Sequence, residues 1–96
     1  MTSLVFHPKA LAELQAQAVY YEERSEGLGE RFVSQVQAAA GLAAAMPRIG
    51  SPYKHRTRRV FPRDFPFSVV YRETDALVIL AIAAFRRKPG YWSKRK

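Results

Sequence analysis

An uninterrupted apolar run covers residues 77–85, near the C-terminal end of the chain. Since apolar and polar residues do not alternate in it, the run predicts a strand that is buried on both faces in the middle of a sheet. The segment before it does alternate and places Phe65, Phe67, Val69 and Tyr71 on one side, which is typical of a strand with a single apolar face. A short polar turn separates the two runs, so they are predicted to be consecutive strands.

Two amphipathic helices are predicted in the first half of the chain. Apolar residues recur three or four positions apart from residue 8 to about residue 25, and again over residues 28–45. Pro8 suits the first turn of a helix, and Gly27 suits the turn between the helices. The second helix is rich in alanine toward its end, which allows it to approach a neighbouring element closely.

A short apolar strand over residues 4–6 is expected before the helices, and a basic strand over residues 53–61 after them. The predicted order is an N-terminal strand, a two-helix hairpin and a three-stranded antiparallel meander (β-αα-βββ), which is an α+β fold. Packing the hairpin on one face of the sheet buries the apolar side of both. A chain of 96 residues, 48% of them hydrophobic, is expected to form one domain over residues 1–96.

Charge is distributed unevenly along the chain. The net charge is +8, yet residues 1–52 contain four basic and five acidic residues, whereas residues 53–96 contain twelve basic and three acidic ones. A basic half of this kind favours a surface that meets a polyanion or an acidic protein, although a generally basic surface would give the same counts. We expect the cationic side chains to gather on one surface of the sheet, with the helices behind it.

Composition excludes several classes of site. The chain has no cysteine and two histidines, so thiolate and histidine-rich metal sites are excluded and no cofactor is expected. The N-terminus lacks the pattern of a secretory signal, and the longest apolar run is far shorter than the ~20 residues that cross a bilayer. We therefore expect a cytoplasmic protein that does not bind a membrane.

The first basic cluster lies in the predicted strand over residues 53–61. On a continuous strand it divides between two faces, with Lys54, Arg56 and Arg58 on one and His55, Thr57 and Arg59 on the other. A row of cations fits successive phosphates or acidic side chains, but positive charges also protect an exposed strand from edge-to-edge aggregation. One face of a strand that packs on the helices is buried, and a buried charge needs a partner. Arginine on both faces therefore favours a functional role. His55 by itself is more typical of a surface residue than of a proton shuttle.

The second cluster follows the predicted central strand and comprises Arg86, Arg87, Lys88, Tyr91 and Trp92. Arginines there could hold a phosphate, the aromatic rings could stack on a base, and Tyr91 could act as a general base if the arginines lower its pKa. Alternatively, Tyr91 and Trp92 close the open end of the core. The glutamates of the predicted helices are interpreted as a solvated face and not as an acid–base pair; they are Glu13, Glu22, Glu23, Glu26 and Glu30.

Segments over almost the whole chain match a known pattern in order and spacing: residues 10–14, 20–21, 27–32, 46–50, 58–61, 65–71, 77–82 and 86–92. Together they resemble the RelE/ParE superfamily of type II toxins, and within it the ParE-like, plasmid-stabilisation branch. The resemblance implies the toxin component of a toxin–antitoxin system. It also implies a cognate antitoxin, acidic and partly disordered when free, that forms a hetero-oligomer with the toxin.

The resemblance leaves the target open between two classes. ParE-like toxins inhibit DNA gyrase, whereas RelE-like toxins cut messenger RNA in the ribosomal A site with arginine, lysine and tyrosine residues. Arg58 or Arg59, Arg87 and Tyr91 are the nearest counterparts of those catalytic residues, while Phe85 stands where many relatives have a histidine that could transfer a proton. The favoured interpretation is a gyrase inhibitor; the alternatives are a ribosome-dependent mRNA endonuclease and an inactive member that serves only as a binding module.

Two sets of contact residues follow from these hypotheses. The expected target-binding residues are Lys54, His55, Arg56, Arg58, Arg86, Arg87, Lys88 and Trp92. The expected antitoxin-binding residues are Leu11, Leu14, Phe32, Val36 and Arg59. An acidic and apolar antitoxin segment is predicted to cover the groove of the helix hairpin and the basic edge of the sheet.

Overall fold

The computed structural model describes residues 3–95. Its elements are β1 (Leu4–Phe6), α1 (Pro8–Arg24), α2 (Leu28–Ala45), β2 (Ser51–Tyr53), a 3-10 turn (Lys54–Arg56), β3 (Thr57–Val60), β4 (Phe67–Glu73) and β5 (Leu77–Ala84). The strands form a five-stranded sheet in the order β1-β5-β4-β3-β2, in which β1 runs parallel to β5 and the other neighbours are antiparallel. The predicted α+β class is confirmed. Neither helix within residues 3–95 combines the length and apolar character needed to cross a membrane.

Strand β5 lies between β1 and β4, and it is the strand that the apolar run predicted. Leu77, Ile79 and Ile82 belong to the core beneath the helices, whereas Leu80 and Ala81 belong to a core on the opposite face. The prediction of a strand buried on both faces is therefore confirmed.

Two cores flank the sheet. The helix-side core packs residues of α1 and α2, such as Leu14, Phe32 and Val36, against Val69 and Ile79 of the sheet. Three alanines of α2, Ala39, Ala40 and Ala43, take part in this contact, and Ala44 is also buried. The tail-side core, on the other face, consists of Val70, Leu80, Ala81, Ala83 and Trp92. The residues after β5 therefore cover a sheet face that the helices leave free.

Glu22 joins the two helices. Its carboxylate accepts hydrogen bonds from the backbone N–H groups of Gly27 at 2.8 Å and Gly29 at 2.9 Å. These bonds serve the N-terminus of α2, because its N-cap residue, Gly27, has no side chain to accept them. They also hold the pKa of the Glu22 carboxyl below its ordinary value. Glu22 therefore has a structural role beyond forming part of a solvated face.

The basic segment differs from the single strand predicted over residues 53–61. Residues Lys54–Arg56 form a 3-10 turn, in which His55 and Arg56 have φ angles of 61° and 60°. These left-handed angles, uncommon for residues other than glycine, reverse the chain so that β2 pairs back on β3. The extended backbone predicted for residues 54–56 is therefore wrong, as is the regular alternation of side chains that it implied.

Tyr71 fixes the loop that follows α2. Its hydroxyl donates a hydrogen bond to the carbonyl oxygen of Pro47 at 2.7 Å and accepts one from the backbone N–H of Gly50 at 3.0 Å. The residue itself is only 1% exposed and lies in the helix-side core. A β-carbon at Gly50 would lie 2.4 Å from the Tyr71 hydroxyl oxygen, so only glycine fits beside it. The loop is thereby attached to β4.

Replacing Tyr71 by phenylalanine should lower the free energy of unfolding by about 1–3 kcal/mol, because the buried Gly50 N–H loses its acceptor. Urea denaturation followed by circular dichroism measures the change. Tyr20→Phe is the matched control: Tyr20 is 45% exposed, so its substitution should alter the stability by no more than about 0.5 kcal/mol. Equal effects of the two substitutions would contradict the role given to the Tyr71 hydroxyl.

Candidate functional site

Four side chains beside the tail-side core form a cluster that we call the aromatic–arginine patch: Tyr53, Arg59, Phe61 and Phe85. The guanidinium carbon of Arg59 lies 4.0 Å from the ring centroid of Tyr53 and 5.1 Å from that of Phe61. Phe61 and Phe85 meet edge to face, with centroids 5.8 Å apart and ring planes at 75°. Both phenylalanines remain at the surface, 47% and 57% exposed.

Strand β3 gives the patch its charge. Arg59 is opposite Val70 in the sheet and therefore lies on the tail side, where its Nη1 donates to the Ser68 hydroxyl at 3.2 Å. Its Nε is buried and has no hydrogen-bond partner within residues 3–95. Contact with the aromatic rings holds the guanidinium in place. The arrangement presents a fixed positive charge next to apolar area, which suits a partner that carries a carboxylate among apolar residues.

A second cationic site, which we call the arginine pocket, lies where the loop after α2 meets β3 and β4. It encloses about 240 Å³ and is lined by Pro47, Arg48, Arg56, Arg58, Tyr71, Arg72 and Glu73. Two of its arginines are held by main-chain carbonyl groups. Arg58 Nη1 donates to the Gly50 oxygen at 2.7 Å, and Arg72 Nη2 donates to the His55 oxygen at 3.1 Å.

Arg58 and Arg59 lie on opposite faces of the sheet. Arg58 is opposite Tyr71, whose ring is part of the helix-side core, whereas Arg59 is opposite Val70 on the tail side. Because consecutive strand residues point to opposite faces, the two arginines do not converge on one ligand. The prediction that the cations gather on a single surface of the sheet is therefore wrong, since they divide between the aromatic–arginine patch and the arginine pocket.

Tyr91 contacts two arginines near the C-terminus. The guanidinium carbons of Arg87 and Arg95 lie 3.7 Å and 5.0 Å from its ring centroid. Burial nevertheless raises the pKa of the Tyr91 hydroxyl above its ordinary range, and the neighbouring Glu13 carboxylate raises it further, which the arginines offset only in part. The expectation of a lowered pKa is wrong. The hydroxyl stays protonated near neutral pH and does not act as a general base there.

Glu13 and Arg95 hold the C-terminal residues on the sheet. Arg95 Nη2 lies 2.9 Å from Glu13 Oε2, and Nη1 lies 3.0 Å from Oε1. Strand β1 pairs with β5 only from Leu77 to Ile79. Beyond that point the Ile82 N–H donates to Glu13 Oε1 at 3.0 Å, and the Leu80 oxygen accepts from Arg95 Nη1 at 2.8 Å. The ion pair thus satisfies these backbone groups of β5 beyond Ile79, where no strand within the described residues pairs with that edge.

Trp92 belongs to the tail-side core. It is 1% exposed, and its ring stacks on that of Tyr53 with centroids 5.4 Å apart and planes at 25°. The structure therefore confirms the alternative prediction for Trp92, in which its ring closes the core. Its prediction as a target-binding residue is corrected, because the buried indole has no free face for a base or a partner.

The remaining residues predicted to bind a target are distributed over several places. Lys54 and His55 are exposed in the 3-10 turn, and Arg86 lines a groove beside the C-terminal end of α1. The side chain of Arg87 is 54% exposed, and Lys88 is exposed. These side chains are accessible to a ligand, but they do not form one site.

Three of the apolar residues predicted to bind the antitoxin are core residues. Leu14, Phe32 and Val36 are 4%, 0% and 0% exposed, so they stabilise the fold and are not available to a partner. Leu11, at 42% exposed, remains accessible, and Arg59 is part of the aromatic–arginine patch. The helical spacing is the same whether a stripe faces a sheet or a partner, so the pattern alone did not separate these roles.

Sequence reasoning missed Arg48, Arg72 and the pair of Glu13 with Arg95. Arg48 and Arg72 are distant in the sequence and reach the arginine pocket through strand pairing, so no local pattern connects them. Glu13 did give a signal. It borders the buried stripe of α1, three positions after Ala10, and a carboxylate at such a position needs a partner.

Comparison with known proteins defines the class and then the family. The fold is similar to a solved structure described as the chromosomal ParDE TA system from P. aeruginosa, with a TM-score of 0.63 and 24% identity over 88% of this chain and 96% of that one. Residues 4–89 match the family described as the ParE toxin of type II toxin-antitoxin system, parDE. The protein therefore belongs to the ParE toxin family, whose system implies a cognate antitoxin. A search of curated proteins gives no match.

Tyr91→Phe should leave growth arrest unchanged, because a hydroxyl that stays protonated contributes no general base. Colony counts after induced expression of the full chain measure the effect, with Tyr20→Phe as a control in an exposed tyrosine. A loss of about 100-fold or more, the size expected when a general base is removed, would contradict this assignment.

Proposed function

We propose that this ParE-family toxin arrests growth by binding and inhibiting DNA gyrase in the cytoplasm, and that its antitoxin prevents this contact. The observation that carries the proposal is the aromatic–arginine patch, in which the half-exposed Phe61 and Phe85 adjoin Arg59. Apolar rings and a fixed guanidinium provide binding energy and orientation. They are means of holding a protein target and not of breaking a bond.

The composition of the patch favours a protein over a nucleic acid as target. Aromatic residues and arginine are enriched at the centres of protein interfaces, where they account for much of the binding energy. Nucleic-acid bases, by contrast, stack on the flat faces of aromatic rings. The rings of Phe61 and Phe85 stand at 75° to each other and so provide no continuous platform for successive bases.

Two findings weigh against the ribonuclease alternative. Cleavage of RNA requires a group that accepts a proton close to cations that stabilise the developing charge. Tyr91, the candidate for the first role, has a raised pKa. Two candidates for the second role, Arg58 and Arg59, lie on opposite faces of the sheet. The third, Arg87, is the one that contacts Tyr91.

The antitoxin is proposed to contact two regions of different character. A groove of about 570 Å³ lies along the helix hairpin, and its lining includes the apolar Ala18, Val19 and Val33 together with Glu22 and Glu30. Apolar residues of the antitoxin fit this groove, but its glutamates repel an acidic segment. The acidic residues of the antitoxin are therefore placed over the basic second half of the toxin, including Arg59 of the aromatic–arginine patch.

Phe85→Ala should weaken the inhibition of supercoiling by purified gyrase at least about tenfold, because truncating a central aromatic residue of an interface costs about 2 kcal/mol or more. The same loss is expected for Phe61→Ala. The measurement is the toxin concentration that halves the supercoiling rate.

Leu42→Ala is the matched control for this experiment, since Leu42 is an apolar residue of α2 with a similar exposure of 46%. It should leave inhibition unchanged. Full inhibition by both phenylalanine variants would reject the patch as the contact surface. Codon-dependent cleavage of messenger RNA on programmed ribosomes, with no effect on gyrase, would reject the target itself.

Raising the salt concentration should weaken the toxin–antitoxin complex, mainly through a slower association rate, because salt screens attraction between exposed charges. Surface plasmon resonance at several sodium chloride concentrations measures this dependence. Arg59→Gln should reduce the dependence, whereas Arg63→Gln, at an exposed position outside the patch, should leave it nearly unchanged. An affinity indifferent to salt would indicate a mainly apolar interface and contradict the placement of the acidic residues.

A further inference from the structure

We propose that the arginine pocket is a binding site for a phosphate group. The proposal is independent of gyrase as the target, because it concerns the face of β3 opposite to the aromatic–arginine patch. It rests on the charge of the pocket, on the way its arginines are fixed and on the geometry of their donors.

The pocket concentrates positive charge from four separate parts of the chain. Arg48 belongs to the loop after α2 and Arg56 to the 3-10 turn, whereas Arg58 is in β3 and Arg72 in β4. Glu73 is the one carboxylate among the lining residues. None of the salt bridges formed within residues 3–95 involves these five side chains. Within the described residues these arginines thus have no carboxylate at salt-bridge distance, and an anion in the pocket would give them a negatively charged partner.

Two of the arginines are held in place before any ligand binds. Arg58 Nη1 donates to the oxygens of Gly50 at 2.7 Å and Arg48 at 3.4 Å, and Arg72 Nη2 donates to the His55 oxygen at 3.1 Å. These bonds use one nitrogen of each guanidinium and leave the others for a ligand. A pre-positioned guanidinium loses less conformational entropy on binding.

The wall of the pocket is also fixed. Tyr71 lines the pocket, and its hydroxyl forms hydrogen bonds with Pro47 and Gly50. Since these residues lie on either side of Arg48, the bonds attach this part of the loop to β4. Arg56 has a φ angle of 60°, a left-handed conformation that costs energy in a residue other than glycine. Such conformations are found where the surrounding structure imposes them, often at binding sites. The strained turn brings Arg56 to the same pocket as Arg58.

A phosphate fits this arrangement better than a single carboxylate. A carboxylate presents two oxygens in one plane and is matched by one guanidinium fork. A phosphate is tetrahedral, with oxygens that point out of a single plane, so it can accept hydrogen bonds from several arginines at once. The volume of about 240 Å³ admits such a group. The source of the phosphate is either the backbone of a nucleic acid or a small phosphate compound.

The test is a titration of the purified full chain with inorganic phosphate, followed by NMR of the arginine Nε–H signals, with sodium chloride added to a matched ionic strength in the reference. Saturable shifts of the Arg58 and Arg72 signals are expected. Arg48→Gln combined with Arg56→Gln should weaken the apparent affinity at least about tenfold, the effect of losing two charge-assisted contacts. Both arginines are exposed, and their side chains donate no hydrogen bond within residues 3–95, so the fold should persist.

The matched control is Lys9→Gln combined with Arg63→Gln, which removes the same charge from exposed positions outside the pocket. It should leave phosphate binding unchanged. Arg72→Lys, which keeps the charge but loses the planar fork, should also weaken binding. Shifts that do not saturate, or equal binding by the wild type and the Arg48/Arg56 double variant, would overturn the proposal.

A parallel titration with a short DNA duplex separates the two sources of phosphate. Duplex binding that is lost in the double variant assigns the pocket to a nucleic-acid backbone. Saturable binding of inorganic phosphate without duplex binding assigns it to a small phosphate compound. Either result supports a phosphate site, and neither depends on whether gyrase is inhibited.

Discussion

The two hydrogen bonds of the Tyr71 hydroxyl hold the wall of the arginine pocket in place. The hydroxyl joins the loop after α2 to β4 by donating to Pro47 and accepting from Gly50. That loop in turn provides the carbonyl groups that hold Arg58. A tyrosine whose ring lies in the core can position surface groups accurately. Packing fixes the ring, and the hydrogen bonds of the hydroxyl then fix the loop to which they are made. The arginine pocket therefore depends on a core residue.

Strand geometry explains why a strongly basic half does not produce one basic surface. Arg58 and Arg59 are adjacent in sequence, yet β3 directs them to opposite sides of the sheet. The helix-side arginine joins a polar pocket fixed by main-chain carbonyls, and the tail-side arginine joins aromatic rings. The same type of side chain thus lies in two different environments, which its neighbours and not its charge define.

Periodicity was sufficient to predict the helices and the central strand, since burial of an apolar stripe is a local property of the sequence. It failed at residues 54–56, where left-handed angles at His55 and Arg56 replace the expected extended backbone. These angles form the turn through which β2 pairs with β3, and no periodicity of apolar residues marks them. The same limit applies to the site. Charge counts predicted that arginines matter, but the meeting of Arg48 with Arg72 depends on long-range strand pairing.

The residues after β5 determine which part of the tail-side face of the sheet is exposed to solvent. Trp92 covers the sheet there, and Arg95 with Glu13 completes the free edge of β5. Phe61 and Phe85 stay exposed at one end of the sheet. These two exposed rings form the apolar part of the aromatic–arginine patch. Because Phe61 and Phe85 are outside both cores, they can be substituted while the internal contacts preserve the fold.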